Sequence, residues 1–420
     1  MRVRLPVLGV MMVLNMALLT VAGPTVGILA STLLERFDMS RSQIGQLSAG
    51  YAVVAAVVSP FTGRLADRVG GRNTMLFGFV VASAVFLAMG AANGFAVLFV
   101  AGLLSGVANG TGNQATNKYI SSEVPIERRG IITGVKQSGV MAGVFFAGML
   151  LPRGVVTIGY RPTMFVVSAL ALVAMGVMVL VLPADPVAAP RRGERRAPLP
   201  SSIRWLAGYA ALMGGAIGCQ SAFLALYAEE DLALSRTTAG FVVGMTGLAA
   251  VGGRIVLGRL TQTVESYAPV LAAMSLLACV GFGVIRLAGV VGGGLLVILP
   301  FITAFSTSSW NAPVMLASMR LVPAADAGRS AGLIMTGFMG GYAVGPPIFG
   351  AAVDRLGSYD TPWLAAIGLC LGAAALMLTW RRQEQRAMAA AAAPGSAAPG
   401  SVTPGTAGSA ELDSIAAPGS

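Results

Sequence analysis

Apolar runs of about twenty residues, each ended by a short charged or proline-bearing break, recur along the whole chain. Twelve can be drawn, over residues 6–31, 42–62, 74–92, 95–120, 130–152, 163–183, 204–228, 237–257, 267–287, 290–320, 327–353 and 361–380. A bilayer core of about 30 Å is crossed by an apolar helix of roughly 20 residues. The pattern therefore predicts an all-α membrane protein with twelve transmembrane helices. The first run follows Arg2 and Arg4 and mimics a secretory signal. It is too long for one and no clear cleavage site ends it, so it reads as the first span.

The longest internal break, ADPVAAPRRGERRAPLPSSI at 184–203, combines prolines and arginines in a way that suits a solvated linker beside anionic headgroups. It divides the chain into two six-helix bundles, 1–183 and 204–386. Residues 387–420 are rich in Ala, Pro, Gly and Ser, have nothing to bury, and are expected to form a disordered tail. The halves also match each other. At an offset of 198, VPIERRGIITGVKQSG (124–139) meets VPAADAGRSAGLIMTG (322–337), aligning Gly130, Gly134 and Gly139 with Gly328, Gly332 and Gly337, and Asn113 with Asn311. At an offset of 195, Gly63-Arg64-Leu65 meets Gly258-Arg259-Leu260. Two halves related by duplication mark a transporter built from parallel repeats.

Composition narrows the reading. The chain is 55% hydrophobic and 11% charged, too few polar groups to cover a soluble globule. A net charge of +11 would suit nucleic acid. Its distribution argues against that partner. Nineteen arginines fall on the side of the N-terminus and seven on the other, while Lys118 and Lys136 lie within spans. By the positive-inside rule both termini and the linker are cytoplasmic, in a multi-pass protein of the cytoplasmic (inner) membrane. Cys219, Cys279 and Cys370 sit singly in apolar runs, giving neither a disulfide framework nor a metal site. Histidine is absent, so no imidazole can shuttle protons. No phosphate-binding G-x-x-x-x-G-K-[ST] loop and no catalytic triad occurs, so neither an enzyme nor a cofactor is expected.

One charged knot interrupts the apolar pattern sharply: GRLADRVGGRN, residues 63–73. Short charged loops lie at the membrane rim, where Asp67 can face a helix N-terminus and its arginine neighbours can reach facing helices. A plain topological role is the alternative, although topology alone needs no acid. The stretch resembles the G-x-L-x-D-R-x-G-R-[KR] signature between the second and third helices of the major facilitator superfamily. Gly71 stands where that signature often has a basic residue, with Arg72 one place on. The resemblance implies two six-helix bundles and a cytoplasmic latch between them, in which Gly63 permits close helix approach, Asp67 is the latch, and Arg68 and Arg72 are its basic partners.

All 17 acidic residues fall in loops, at span ends or in the tail, so charge buried in the spans is basic only. Lys136 and Lys118 each lie roughly 10 Å inside, and Arg254 is one turn from the end of the eighth span. They form either a basic pocket for an anionic solute or long side chains that snorkel to headgroups. The Arg254-x-x-x-Gly258 pattern resembles that of monocarboxylate and oxalate porters, where it implies contact with a substrate carboxylate. NKYISSEVPIERRGIITGVKQSGV resembles the cyanate-permease-like branch of the superfamily.

The fourth span carries Asn109, Asn113 and Asn117 at four-residue spacing beside Thr111, Gln114 and Lys118. Such amides line a cavity or tie helices together. Asn113, Gln114 and Gln137 gain weight beside the lysines. Trp310 and Asn311 in the tenth span, Asn15 in the first and Gln220 in the seventh are further candidates for substrate contact. GGYAVGPPIFG (340–350) breaks the eleventh span with Gly345 and Pro346, read as a gating bend.

These observations predict a secondary transporter working by alternating access on a small organic anion such as a monocarboxylate. Protons are a candidate co-solute and a monomer is expected. The alternative is proton-driven efflux of drugs or metabolites, although no carboxylate lies deep in a span to exchange protons.

Overall fold

The computed structural model describes residues 5–184, 198–261, 264–323 and 326–392. They form helices throughout, without a strand among the described residues. The first half holds α1 (Leu5–Thr20), α2 (Ala22–Ile28), α3 (Ala30–Phe37), α4 (Arg41–Val69), α5 (Gly71–Ala91), α6 (Phe95–Glu123), α7 (Ile126–Ile158) and α8 (Tyr160–Val181). The second holds α9 (Ser201–Glu230), α10 (Arg236–Leu260), α11 (Ala268–Val291), a 3-10 turn (Gly293–Val297), α12 (Leu299–Ala304), α13 (Asn311–Leu321), α14 (Ala327–Leu356) and α15 (Asp360–Ala392).

Among the described residues, nine helices are long and apolar enough to cross a membrane, and α1 with α2 makes a tenth. The prolines and glycines of α14 dilute its hydropathy, and the tenth passage is split into short pieces. These two occupy the remaining predicted positions. The first passage is bent by 53° between α1 and α2. Pro24 has no amide to donate to the Thr20 carbonyl, so the ladder opens there. The tenth passage, read as one span over 290–320, breaks at 305–310. Pro313 cannot donate to Ser309, and the Ser306 hydroxyl instead binds the Ile302 carbonyl at 2.8 Å.

The charged knot is helix, not loop. α4 runs past the predicted end at 62 to Val69, and Gly70, at φ 87°, makes the turn into α5 by itself. Arg64, Asp67 and Arg68 end the apolar run without ending the helix, since arginine and alanine favour it. The linker at 185–197 and the tail from 393 lie outside the described residues. α15 itself continues as helix through Ala392, beyond the expected end of the second bundle at 386.

The helix ends sort onto two faces. One, the basic side, carries the α4–α5 turn and the ends of α6, α10 and α13. The far side carries the α3–α4, α7–α8, α9–α10 and α14–α15 junctions. The two halves meet through α4 with α14, α7 with α10 and α2 with α9. Within the second half, α14 lies flush on α9, and a Cβ at Gly341 would fall 1.8 Å from the Ala211 carbonyl oxygen, whereas one at Gly340 would meet nothing within 4 Å. Overpacking costs about 1–3 kcal/mol. Gly341→Val is therefore expected to lower the melting midpoint in detergent by about 5 °C and to erode the monodisperse chromatographic peak. Gly340→Val, one residue away, is expected to leave both unchanged.

Candidate functional site

Lys136 lies on the inner face of α7 with 1% of its surface exposed. Its ammonium donates to Thr116 Oγ1 at 3.0 Å, to Asn117 Oδ1 at 2.5 Å and to the Asn113 carbonyl at 3.4 Å, all on α6. An ammonium has three protons, and these are three neutral acceptors. The glycines of α6 let its other neighbours approach closely, Gly106 and Gly110 facing α4 and Gly112 facing α1.

Arg254, in the second half, reaches the same region. Its Nη1 donates to the Gln137 carbonyl across the interface at 3.0 Å, and its Nε to the Ser308 carbonyl at 3.1 Å. The Ser308 carbonyl is available because the tenth passage unwinds there. Nη2 makes no hydrogen bond among the described residues. Arg254 thus binds the carbonyl of the residue that follows Lys136 in α7, while the Lys136 ammonium itself turns to α6. Neither cation forms an ion pair with a carboxylate among the described residues.

Other predicted residues are placed as follows. Asn113 contributes its carbonyl, and Gln114 its amide oxygen, 3.8 Å from where a Cβ on Gly63 would be. Gln137 binds Arg254 through its backbone. Trp310 sits at the break beside Ser308 and stacks on Phe338 with centroids 4.7 Å apart, while Asn311 donates to Met335 Sδ at 3.8 Å. The Phe338 ring leads to Tyr342 at 6.0 Å and on to Tyr51 of the first half at 6.3 Å. Asn15 is fully buried against α6 near Gly112. Gln220 is buried in α9.

Three expectations are corrected. Lys118 does not join Lys136. Its ammonium meets Asp67 at 3.2 Å at the basic-side rim, within the first half. Asp67 is therefore held by a lysine of its own half, is 64% exposed, and does not join the two halves here. Arg72 likewise donates to the Val179 carbonyl of α8, at 2.8 Å, and Arg68 is exposed. Gly345 and Pro346 do not break the eleventh passage, because α14 is continuous helix through both. They are contact surface instead: a Cβ at Gly45 of α4 would lie 2.4 Å from the Pro346 carbonyl oxygen.

Two partners of Lys136 escaped the sequence reading as site residues. Asn117 stands on the amide stripe, and its four-residue spacing is the signal that marks it. Thr116 carries no such signal, since a threonine in a glycine-rich helix is equally at home bonding its own backbone.

The Major Facilitator Superfamily model matches residues 8–346. The chain is 28% identical over 374 residues to monocarboxylate transporter 11 of Homo sapiens, covering 83% of this chain and 76% of that protein. It is 30% identical over 270 residues to the probable nitrate/nitrite transporter NarK2 of Mycobacterium tuberculosis, covering 61% and 67%. A match to multidrug resistance protein 2 of Bacillus subtilis, at 26% over 144 residues, covers only 34% and 36%. Among solved structures, a bacterial homologue of the human lysosomal transporter Spinster, in an inward-facing and occupied conformation, superposes with a TM-score of 0.73 at 16% identity, over 90% of this chain and 96% of that one.

A buried cation held by neutral groups costs stability that a function must justify. Lys136→Met is accordingly expected to melt no lower than the wild type and up to about 3 °C higher in detergent. A fall of several degrees would mark Lys136 as a structural strut.

Proposed function

The chain belongs to the major facilitator superfamily, and on that premise we propose that it carries a small organic anion, a monocarboxylate in the first instance, by alternating access. The observation that carries this reading is that Lys136 and Arg254, one from each half and linked through adjacent residues of α7, are held by neutral acceptors alone. The site is short of negative charge, and an incoming carboxylate supplies it. Arg254 offers its unengaged Nη2. Asn117, exposed at the opening, is the acceptor that a carboxylate displaces from Lys136.

The relatives named for monocarboxylate and for nitrate/nitrite favour the same charge sign. The excess of arginine on the basic side assigns that side to the cytoplasm, with both termini there. On that orientation the far-side ion pairs between the halves close the molecule outward. The cytoplasmic latch is then undone, with Asp67 parked on Lys118.

A second reading, drug efflux, is favoured by the match to multidrug resistance protein 2, confined to about a third of each chain. Without a deep carboxylate to exchange protons, it would suit neutral toxicants.

Uptake of labelled monocarboxylates into proteoliposomes, with and without a pH gradient, tests the proposal. A carboxylate 4 Å from a cation gains about 4 kcal/mol at an effective dielectric of 20, part of it lost to desolvation. Lys136→Gln and Arg254→Gln are each expected to cut uptake of the best acid by about 30-fold or more. Normal uptake by both variants would overturn the anion site. Protection of a drug-sensitive host on a toxicant panel, without acid uptake, would establish efflux.

A further inference from the structure

The duplication that relates the two halves continues upstream of Gly63 and Gly258, and at the far side it carries charge. At the same offset of 195, Glu35 corresponds to Glu230, Asp38 to Ala233, Ser40 to Ser235, Arg41 to Arg236 and Gly45 to Gly240. The local geometry repeats with the residues. Asp38 and Ala233, at φ 50° and 52°, are the non-glycine residues with positive φ among the described residues. Alanine takes that conformation rarely and has no polar group to support it. Ser40 and Ser235 both cap the helix that follows, each accepting from the backbone amide three residues on at 3.2 Å. Gly45 lies against Pro346, and Gly240 lies 2.5 Å, counted from a hypothetical Cβ, from Pro152.

The ion pairs are crossed between the halves. Arg41 of α4 holds Glu230 of α9 with Nη2 at 2.9 Å from both carboxylate oxygens and Nε at 3.0 Å from Oε2. Arg236 of α10 holds Glu35 of α3. Each half thus gives its arginine to the other half's glutamate, at positions that the duplication makes equivalent. Each arm has a second carboxylate on its arginine, Asp354 at 3.6 Å from Arg41 and Glu229 at 3.5 Å from Arg236. Tyr359 braces the first arm by donating to Glu230 at 2.5 Å, and burial with that hydrogen bond raises its phenol pKa. The Asp354 carboxylate also accepts from the backbone amides of Arg41 and Ser42, at 3.2 and 2.8 Å, so the end of α14 caps the start of α4.

We propose that Arg41–Glu230 and Arg236–Glu35 are the two arms of a duplicated, reciprocal gate that holds the far side shut and releases as a unit when that side opens to solute. This rests on the alternating-access reading of the chain. When two halves related by a two-fold axis along the membrane normal tilt apart at one face, equivalent points on that face move away from the axis together. Arms at equivalent positions are therefore parted in step, and in the intact protein opening breaks both ion pairs together.

Ser31 reports opening without any cargo, which separates this gate from the choice of solute. It is 7% exposed and lines a cleft of about 360 Å³ with Glu35, Glu229, Glu230 and Arg236. In full-length protein carrying Ser31→Cys and with Cys219, Cys279 and Cys370 replaced by alanine, the rate of modification by a membrane-impermeant maleimide added from the far side measures opening. Arg41→Gln and Glu230→Gln are each expected to raise that rate about tenfold. The pair together should add no more than twofold, because both remove one interaction. Glu35→Gln with Glu230→Gln breaks both arms and should multiply the single effects, to roughly a hundredfold. Melting midpoints within a few degrees of the parent show that each variant is folded; Glu35→Asp and Glu230→Asp replace any that fail. Unchanged labelling in the single variants, or independent effects of Arg41→Gln and Glu230→Gln, would overturn the gate. Loss of acid uptake with intact labelling behaviour would count against the proposed cargo alone.

Discussion

A positive charge held among apolar helices has to be met by something, and much of this molecule is arranged around that demand. Hydrocarbon offers no water, so backbone groups must be paired within helices. Where helices break, freed carbonyls become acceptors. The break at 305–310 is the instructive case: it opens the Ser308 carbonyl, and Arg254 takes it. Acids are absent from these depths, and the carboxylates with mapped partners lie near the rims. What remains inside are two cations on backbone carbonyls, one hydroxyl and one amide. Such a cluster is tolerable but not relaxed, which is what the proposed anion site requires.

The duplication is kept in one place and broken in another. At the far side the repeat preserves arginine, glutamate, cap and backbone conformation alike. At the site it does not. Offset by 198, Lys136 corresponds to Ile334, and offset by 195, Arg254 corresponds to Ser59. A gate that opens by rotation of two like bodies gains from equal arms. A binding site for one small, polar-headed solute gains from unequal walls, because a two-fold cavity would hold the solute equally well in two orientations. The halves have diverged where recognition is needed and stayed alike where motion is shared.

Sequence patterning carried the outline of this molecule well. The all-helical membrane architecture, with nine spanning helices among the described residues and the first passage besides, follows from run length. Lys136 and Arg254 stood out because charge in an apolar run is costly, and cost is visible in one dimension. Partnership is not. That Lys118 turns to Asp67 depends on how α6 lies against α4, and periodicity leaves that packing undetermined. The broken first and tenth passages were hidden for a related reason, since Pro24 and Pro313 could equally have sat in kinked continuous helices. The latch helix outran its predicted end because charged residues stop an apolar count without stopping a helix. The crossed gate was legible in principle. Its four identical matches lie on the same offset as Gly63 and Gly258, but single residues at span ends look like ordinary caps and topology signals until their cross-partners are seen.

Arg254 links the site to the motion. It is the cation proposed to meet the solute, and it also ties the halves together through the Gln137 carbonyl, toward the basic side of the far-side contacts. A solute that binds equally well to both states moves no equilibrium, however tightly it binds. A carboxylate on Arg254 does not bind equally. It competes with Gln137 for the guanidinium, so its arrival exchanges a bond that exists only while these helices touch for one that travels with the second half. Lys136 has no such bond to lose, since its acceptors all lie on α6 within its own half. The two cations therefore divide the labour of the proposed cycle. Lys136 sets the sign of the charge the site accepts, and Arg254 makes accepting it mechanically consequential, with the paired far-side arms setting how much of that bias is needed before the other face can open.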